Sequence, residues 1–229
     1  MMTNRELSDD ERFADWQDWV ETIYRETIDL GRNRRMFKML REVAERNERL
    51  RETGGHVLDW MFGNYVVAAA MTFRRELDKR NGTRNLRHLL HDIEKYPHFI
   101  NRRRYRALWG KVEGPLGQSL ADQMFDRFNP VRDPDDPEKD HVDPATVRRD
   151  REALIDATEL VRQFVEQKYA HRTECHQPMT FGEFPGALDA VVPTFKKYYA
   201  LLTQKSVVDT EPVPQFDTHE CLTFPWWQQ

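Results

Sequence analysis

The chain has 229 residues and a net charge of −4, and it is 39% hydrophobic and 32% charged. These values allow one sizeable core and suit long helices that keep one face in water. They exclude a protein that is basic overall, so any nucleic-acid site must be a local patch of Lys and Arg.

Helical spacing of apolar residues begins near the start of the chain. Ser8 and the three acidic residues after it predict a helix N-terminus, and apolar residues recur every three or four positions as far as Leu30. We expect Gly31 to soften the chain and a second helix to end before Gly54. A third helix is predicted over about His56–Asp78.

Shorter elements follow in the middle of the chain. Lys79–Gly82 predicts a turn, and Thr83 is the predicted N-cap of a short leucine-rich helix. Further short helices are predicted over Phe99–Trp109 and Ser119–Phe128. Residues 130–143 are rich in proline and acidic side chains, which predicts an exposed loop.

The last third of the sequence predicts two long helices and a tail. Asp143-Pro144 combines an N-cap with proline at the first helical position, and this helix should run to about His171. Thr180–Glu183 fits a capping box for the final helix, in which Pro193 should introduce a kink. We expect residues 208–229 to form an extended C-terminal tail whose tryptophans dock on the body.

The elements together predict a single all-α domain over residues 1–229. We expect a helical bundle of four to six main helices with short extra helices. Its most apolar stretch, 57–73, contains charged and polar residues and predicts a core helix, with no membrane span. The N-terminus has no apolar run of a secretory signal, so we expect a soluble, cytoplasmic protein.

The sequence contains no cofactor motif, and we expect neither a cofactor nor a metal. Phosphate-binding loops, dinucleotide fingerprints and nucleophile elbows are absent. Two cysteines are too few for a disulfide framework, which favours reduced thiols. The residues of zinc-ligand type do not match a known zinc spacing; they are Cys175, His176, His219 and Cys221.

A first candidate for catalysis is His171, followed directly by Arg172. A histidine at the negative end of a helix dipole can carry a proton, and an adjacent arginine can stabilise a developing phosphorane. RNA backbone cleavage needs these two groups. The alternative interpretation is a helix-terminal histidine that only satisfies backbone carbonyls.

Two further candidates lie earlier in the chain. Arg84 and His91 are seven residues apart, which is two helical turns and one face; a solvated stripe on an amphipathic helix is the alternative interpretation. Asp78 follows Arg74 by four residues and Arg75 by three, so a local ion pair could be structural or could position an arginine for phosphate.

A basic cluster with interleaved aromatic residues is a candidate RNA-binding surface. Tyr105 and Trp109 could stack a base while the arginines bind phosphates. A solvated helix face over an aromatic core is the alternative interpretation. The arginines are Arg102, Arg103, Arg104 and Arg106.

Several of these motifs, in this order, resemble the AbiU-type HEPN proteins, a helical family associated with bacterial abortive infection. The motifs are Tyr65 with Arg74–Asp78, the helix Arg84–Ile93, the step Tyr169–Arg172, and the closing Phe224–Trp226. The resemblance implies a HEPN-like bundle, often dimeric. It also implies a metal-independent ribonuclease site in which an arginine precedes a histidine by a few residues.

Two assignments of that site remain open. His171 lacks an arginine at the usual distance before it, so Lys168, Arg172 or Arg75 would have to substitute. Arg84 and His91 fit the spacing, with an asparagine after the arginine, but at an unexpected place in the chain.

The resemblance also leaves two functions open. One is an RNA endonuclease of a phage-defence or toxin–antitoxin type, with RNA, a second copy of the chain and an antitoxin protein as expected partners. The other is a non-catalytic interaction module that binds a partner protein or a nucleotide.

Overall fold

A computed structural model describes residues 8–80, 82–109, 115–129, 140–166 and 183–213. These residues form α-helices and contain no strand; their one isolated backbone bridge joins Asn101 and His141. The predicted all-α class is confirmed. The helices are α1 (Asp9–Arg46), α2 (Glu48–Thr53), α3 (Gly55–Glu76), α4 (Leu86–Lys95), α5 (Arg102–Leu108), α6 (Pro115–Phe128), α7 (Pro144–Val165) and α8 (Glu183–Thr203), with a 3-10 turn at Pro97–Phe99.

Helix α1 is a single element of 38 residues, where two helices were predicted. It starts with a capping box between Ser8 and Glu11. The helix continues through Gly31. This glycine is needed for close packing against a later segment, and it does not end the helix. A Cβ at Gly31 would lie 1.7 Å from the carbonyl oxygen of Thr210, so glycine lets the segment after α8 cross α1 at close range.

The start of α4 also differs from the prediction. Asn85, not Thr83, is the N-cap, and its side-chain oxygen accepts a hydrogen bond from the His88 N–H at 2.9 Å. The Thr83 hydroxyl instead donates to the Arg80 carbonyl oxygen at 2.7 Å. Arg84 therefore lies in the loop just before α4.

The core lies between the long helices. α7 packs against α3, α4 and α8, and α1 packs against the same three helices. Trp16 of α1 is fully buried there, as are the four apolar residues of α4 that the sequence singled out. These are Leu86, Leu89, Leu90 and Ile93.

The C-terminal end of the predicted loop and the start of the predicted tail are packed. Val142 is 3% exposed and its N–H donates to the Ile100 carbonyl, so residues 140–143 are not an exposed loop as predicted. Asp143 caps α7, as predicted. In the tail, Glu211 forms a salt bridge with Lys38 of α1 at 3.0 Å. Residues 130–139 and 214–229 lie outside the described residues.

Within the described helices, no segment is long and apolar enough to cross a membrane. The apolar stretch 57–73 belongs to α3, and Ala69, Ala70 and Phe73 are buried in the core. Trp60, from the same stretch, faces outward and is 68% exposed.

Candidate functional site

An open cleft of about 340 Å³ lies between α1 and the start of α4, and we call it the α1–α4 cleft. Its walls hold the predicted pair Arg84 and His91 together with a second histidine, His88. Arg84 and His91, which the sequence connected only through their seven-residue spacing, thus lie in the same cleft. The other lining residues are Asp15, Trp19, Gly82, Thr83 and Asp92.

Asn85 positions the loop and the helix that carry these groups. It caps α4, and its amide nitrogen donates to the Asp78 carbonyl at 3.0 Å and to the Thr83 hydroxyl at 3.1 Å. Asn85 is 1% exposed, so this network is buried. Arg84 therefore reaches the cleft from the capped loop, whereas the sequence interpretation placed it two turns before His91 on one helix.

Arg84 is held across the cleft by α1. Its Nη2 donates to Oδ1 of Asp15, 69 positions earlier in the chain. The Arg84 side chain is nevertheless 52% exposed. Because a guanidinium has five N–H donors, most of those of Arg84 remain available to an anion in the cleft.

His88 is fixed in one tautomer by Thr83. Its Nδ1 lies 3.1 Å from the Thr83 carbonyl oxygen and 3.0 Å from the Thr83 hydroxyl oxygen. A carbonyl can only accept, and the Thr83 hydroxyl hydrogen is already donated to Arg80, so His88 Nδ1 carries the proton. In the neutral ring, Nε2 then holds the lone pair that can accept a proton.

His91 is exposed and hydrogen-bonds to no residue in the described part of the chain. Asp92, which follows it, is occupied by the core. It accepts a hydrogen bond from the buried Trp16 Nε1 at 2.8 Å and pairs with Arg12 at 3.1 Å. Because that charge is compensated, Asp15 is the main carboxylate facing Arg84 in the cleft.

A buried carboxyl group supports the start of α4 from the end of α3. Glu76 is 7% exposed, and its Oε2 accepts the Leu86 N–H at 2.8 Å. Burial and the neighbouring Glu26 carboxylate raise the pKa of Glu76 to about 8, against the opposing effects of the Leu86 N–H and Arg75. Two hydrogen-bonded carboxyl groups need a shared proton, so Glu76 is neutral at pH 7.

Arg75, a predicted substitute for the arginine missing before His171, and Asp78, its predicted ion-pair partner, bind different partners. The Nε of Arg75 pairs with Glu26 of α1 at 3.3 Å. Asp78 pairs with Arg80 at 2.9 Å, and the hydrogen bonds from Arg80 hold the pKa of the Asp78 carboxyl below its usual range. Asp78 and Arg75 therefore do not form the predicted local ion pair with each other, whereas the charge of the other predicted partner, Arg74, helps to lower the pKa of the Asp78 carboxyl.

A smaller hollow of about 170 Å³ lies where α3 and α7 end. Asp78 lines it, and the last turn of α7 adds Arg162 and Glu166. His171 and Arg172 come five and six positions after Glu166 in the sequence and lie outside the described residues. Their catalytic roles stay predictions.

The predicted basic surface on α5 is largely neutralised by aspartates. The Arg102 side chain is only 5% exposed and pairs with three of them, which corrects its predicted role as an RNA contact. Arg104 and Arg106 each pair with an aspartate at 2.6 Å. Arg103 is exposed and has no partner among the described residues.

No group of three His, Cys, Asp or Glu side chains in the described part of the chain is placed to hold a metal ion. The sequence's residues of zinc-ligand type fall elsewhere. Cys175, His176, His219 and Cys221 all lie outside the described residues.

Sequence reasoning missed two residues of this region. His88 was not among the predicted site residues, yet its three-residue spacing from His91 places both rings on one face of α4. The sequence did not indicate that Glu76 is buried, because a glutamate among arginines near a helix end is usually solvated.

Comparison with known proteins gives no relative. No family model matches the chain, and no curated protein or solved structure is significantly similar to it. The functional argument therefore depends on the residues of the α1–α4 cleft, with the HEPN resemblance as a prediction beside it.

Proposed function

We propose that this protein is a HEPN-like, metal-independent RNA endonuclease that acts at the α1–α4 cleft. One observation carries the proposal: Arg84, His88 and His91 line the same open cleft. An arginine can bind a phosphate, and two imidazoles can supply the base and the acid that backbone cleavage needs.

The proposed reaction is an attack by the ribose 2′-oxygen on the adjacent phosphorus. His88 Nε2 takes the proton of the 2′-hydroxyl while the O2′–P bond forms. His91, as the imidazolium, gives a proton to the 5′-oxygen as the P–O5′ bond breaks. The products are a 2′,3′-cyclic phosphate and a 5′-hydroxyl, and Arg84 stabilises the charge on the phosphorane between them.

Asp15 has a positioning role in this proposal. It holds the guanidinium of Arg84 in the cleft through one nitrogen and leaves Nε and Nη1 to face the phosphate. A preorganised arginine loses less conformational entropy when the phosphate binds.

His91→Ala is expected to lower RNA cleavage by about 10²–10⁴-fold, the usual contribution of a general acid. The measurement is cleavage of a labelled single-stranded RNA in excess chelator, where the wild-type protein should retain its activity. His56→Ala is the matched control, because His56 is exposed on α3 and away from the cleft. Circular dichroism should show equal helix content in all variants.

The same assay separates the two predicted histidines. Cleavage that survives in His91→Ala but is abolished in His171→Ala would move the site to His171. Intact RNA after prolonged incubation with the wild-type protein, at concentrations where it is folded, would refute the ribonuclease function altogether.

The cellular role follows from the resemblance alone. We place the nuclease in a bacterial phage-defence or toxin–antitoxin system, acting on RNA in the cytoplasm and held in check by an antitoxin protein. Such systems need an activity that is harmful when uncontrolled, and a cleft open to solvent is compatible with that requirement.

A second candidate function, a non-catalytic interaction module, is favoured by an apolar stripe on the outer face of α3. Val57, Trp60, Val67 and Met71 are 58%, 68%, 40% and 40% exposed. With Asn64 between them, they alternate at three and four residues, the spacing of a helix-pairing seam. We take a second copy of the chain as the occupant of this stripe.

Charge complementarity supports an antiparallel pair. Asp59 lies near one end of the stripe and Arg74 near the other, and neither has an ion-pair partner among the described residues. A two-fold axis near the middle of α3 would bring each Asp59 towards the Arg74 of the other copy.

Asp59→Arg is therefore expected to weaken the dimer about 5–50-fold, since like charges replace opposite ones at both ends of the pair. The double variant Asp59→Arg/Arg74→Asp should restore it. Sedimentation equilibrium measures both constants. A wild-type protein that stays monomeric at 100-fold the protein concentration of the nuclease assay would exclude this use of the stripe.

A further inference from the structure

Glu94 fixes the register of α4 against α7, and we call the surface along the line where these two helices pack the α4–α7 groove. The Glu94 carboxylate pairs with Arg148 at 2.7 Å and with Arg151 at 2.9 Å, both near the start of α7. Since Glu94 lies near the end of α4, the two helices run antiparallel. Arg87 comes seven residues, or two turns, before Glu94, so it lies on the same side of α4, further along α7.

Arg87 is the unpaired cation of this groove. It is partly buried, and no carboxylate pairs with it in the described part of the chain. Its charged neighbours are Arg151 and Arg162 of α7. Burial, together with repulsion from these two arginines, lowers the pKa of Arg87.

The other arginines of the groove are already neutralised. Arg148 and Arg151 share Glu94, and Arg162 pairs with Glu159 and Glu166, each at 2.6 Å. Arg87 is therefore the arginine of this groove that has no carboxylate partner in the described part of the chain. A partly desolvated guanidinium without a counter-ion is costly, and an external anion would relieve that cost.

Arg87 is also one turn from the α1–α4 cleft. His91 follows it by four residues on α4, so the two side chains are neighbours on the helix surface. The cleft lies on the α1 side of α4, and Arg87 lies beside it at the edge of α4 that faces α7. An RNA strand whose reacting phosphate is bound at Arg84 and His91 would pass over α4 towards Arg87.

We propose that Arg87 binds the RNA phosphate next to the one that is cleaved, so that single-stranded RNA crosses α4 from the α1–α4 cleft to the α4–α7 groove. This role rests on the proposed ribonuclease function and names the course of its substrate. Arg87 acts as a positioning residue: it contacts the backbone and takes no part in proton transfer. Backbone contacts of this kind are independent of the base sequence.

The test uses an RNA that cannot react. A single-stranded oligonucleotide with 2′-O-methyl groups lacks the attacking hydroxyl, so fluorescence anisotropy measures binding without cleavage. Arg87→Ala should weaken binding about 3–10-fold and reduce the slope of log K against log salt by about 0.7, the value for one phosphate contact on a single strand. Arg87→Lys should retain the slope because it keeps the charge.

Arg46→Ala is the matched control, since Arg46 is equally charged, is exposed at the end of α1 and lies outside the cleft and the groove. Equal affinity and equal salt slope for wild type and Arg87→Ala would overturn the proposal. The test distinguishes a failure of the ribonuclease proposal from a failure of the proposal that Arg87 binds phosphate. If Arg87→Ala weakens binding but the wild-type protein does not cleave natural RNA, the ribonuclease activity is refuted and the RNA-binding role of Arg87 is kept.

Discussion

Replacing Arg102 by alanine is expected to destabilise the protein by roughly 2–4 kcal/mol. The Arg102 side chain is 5% exposed, and its guanidinium joins Asp122 and Asp126 of α6 to Asp140, which precedes α7. Breaking a buried ion pair costs about 3–5 kcal/mol. The value here is lower because the three carboxylates are 28–41% exposed and can be partly hydrated.

Urea denaturation followed by circular dichroism measures this loss. Arg103→Ala, at the exposed neighbouring position, should stay within about 0.5 kcal/mol of the wild type. Arg102→Lys should recover only part of the stability, because an ammonium cannot bind several carboxylates in the planar geometry of a guanidinium. An Arg102→Ala protein as stable as the Arg103→Ala control would show that these ion pairs are not stabilising.

The arginines of α5 illustrate what a sequence conveys about charge. Their positions predicted a short helix correctly, but a run of arginines does not reveal which of them is turned inward. The partners of Arg102 come 20 to 38 positions later in the chain, and only the packing of α6 and residues 140–143 against α5 brings them close. Local pattern therefore predicted the element and missed the role of Arg102.

The long helices were predictable because their signals are local. Ser8 and Asp143 cap the helices that they were expected to cap, and the leucines of α4 are buried as their spacing required. The predicted break at Gly31 failed for a reason outside the helix. That glycine is required by Thr210, almost 180 positions later, and not by the backbone of α1.

In the candidate site, too, local sequence features were predictable and contacts between distant segments were not. Spacing brought Arg84 and His91 into consideration, and both do line one cleft. The pairing of Arg84 with Asp15 depends on how α1 packs beside α4, which no local pattern reports. The tautomer of His88 likewise depends on the loop that Asn85 closes.

Glu76 connects this site to the stability of the whole fold. Its carboxyl group is buried, hydrogen-bonded to Glu26, and accepts the first N–H of α4, the helix that carries His88 and His91. Burial first, and then the Glu26 charge, raise its pKa from 4.5 to about 8. The folded protein therefore binds a proton at Glu76 that the unfolded chain releases between these two pKa values.

Because the folded state binds more protons at Glu76 in this range, stability falls as the pH rises from about 4.5 to 8 and levels off above 8. Each pKa unit corresponds to about 1.4 kcal/mol, so this single group accounts for roughly 3–5 kcal/mol between the two ends of the range. Below pH 4.5 the group is protonated in both states and its contribution is constant.

Glu76→Gln is expected to remove this pH dependence. Its amide oxygen can accept the Leu86 N–H and its amide nitrogen can donate to Glu26, while the side chain stays neutral at every pH. The variant should match the wild type near pH 4.5 and exceed its unfolding free energy by about 3 kcal/mol or more at pH 9. Urea midpoints measured from pH 4.5 to 9 test this, with Glu42→Gln at an exposed position of α1 as the control. A difference between Glu76→Gln and wild type that does not change with pH would mean that Glu76 is already ionised in the folded protein, and the start of α4 would then tolerate a buried negative charge.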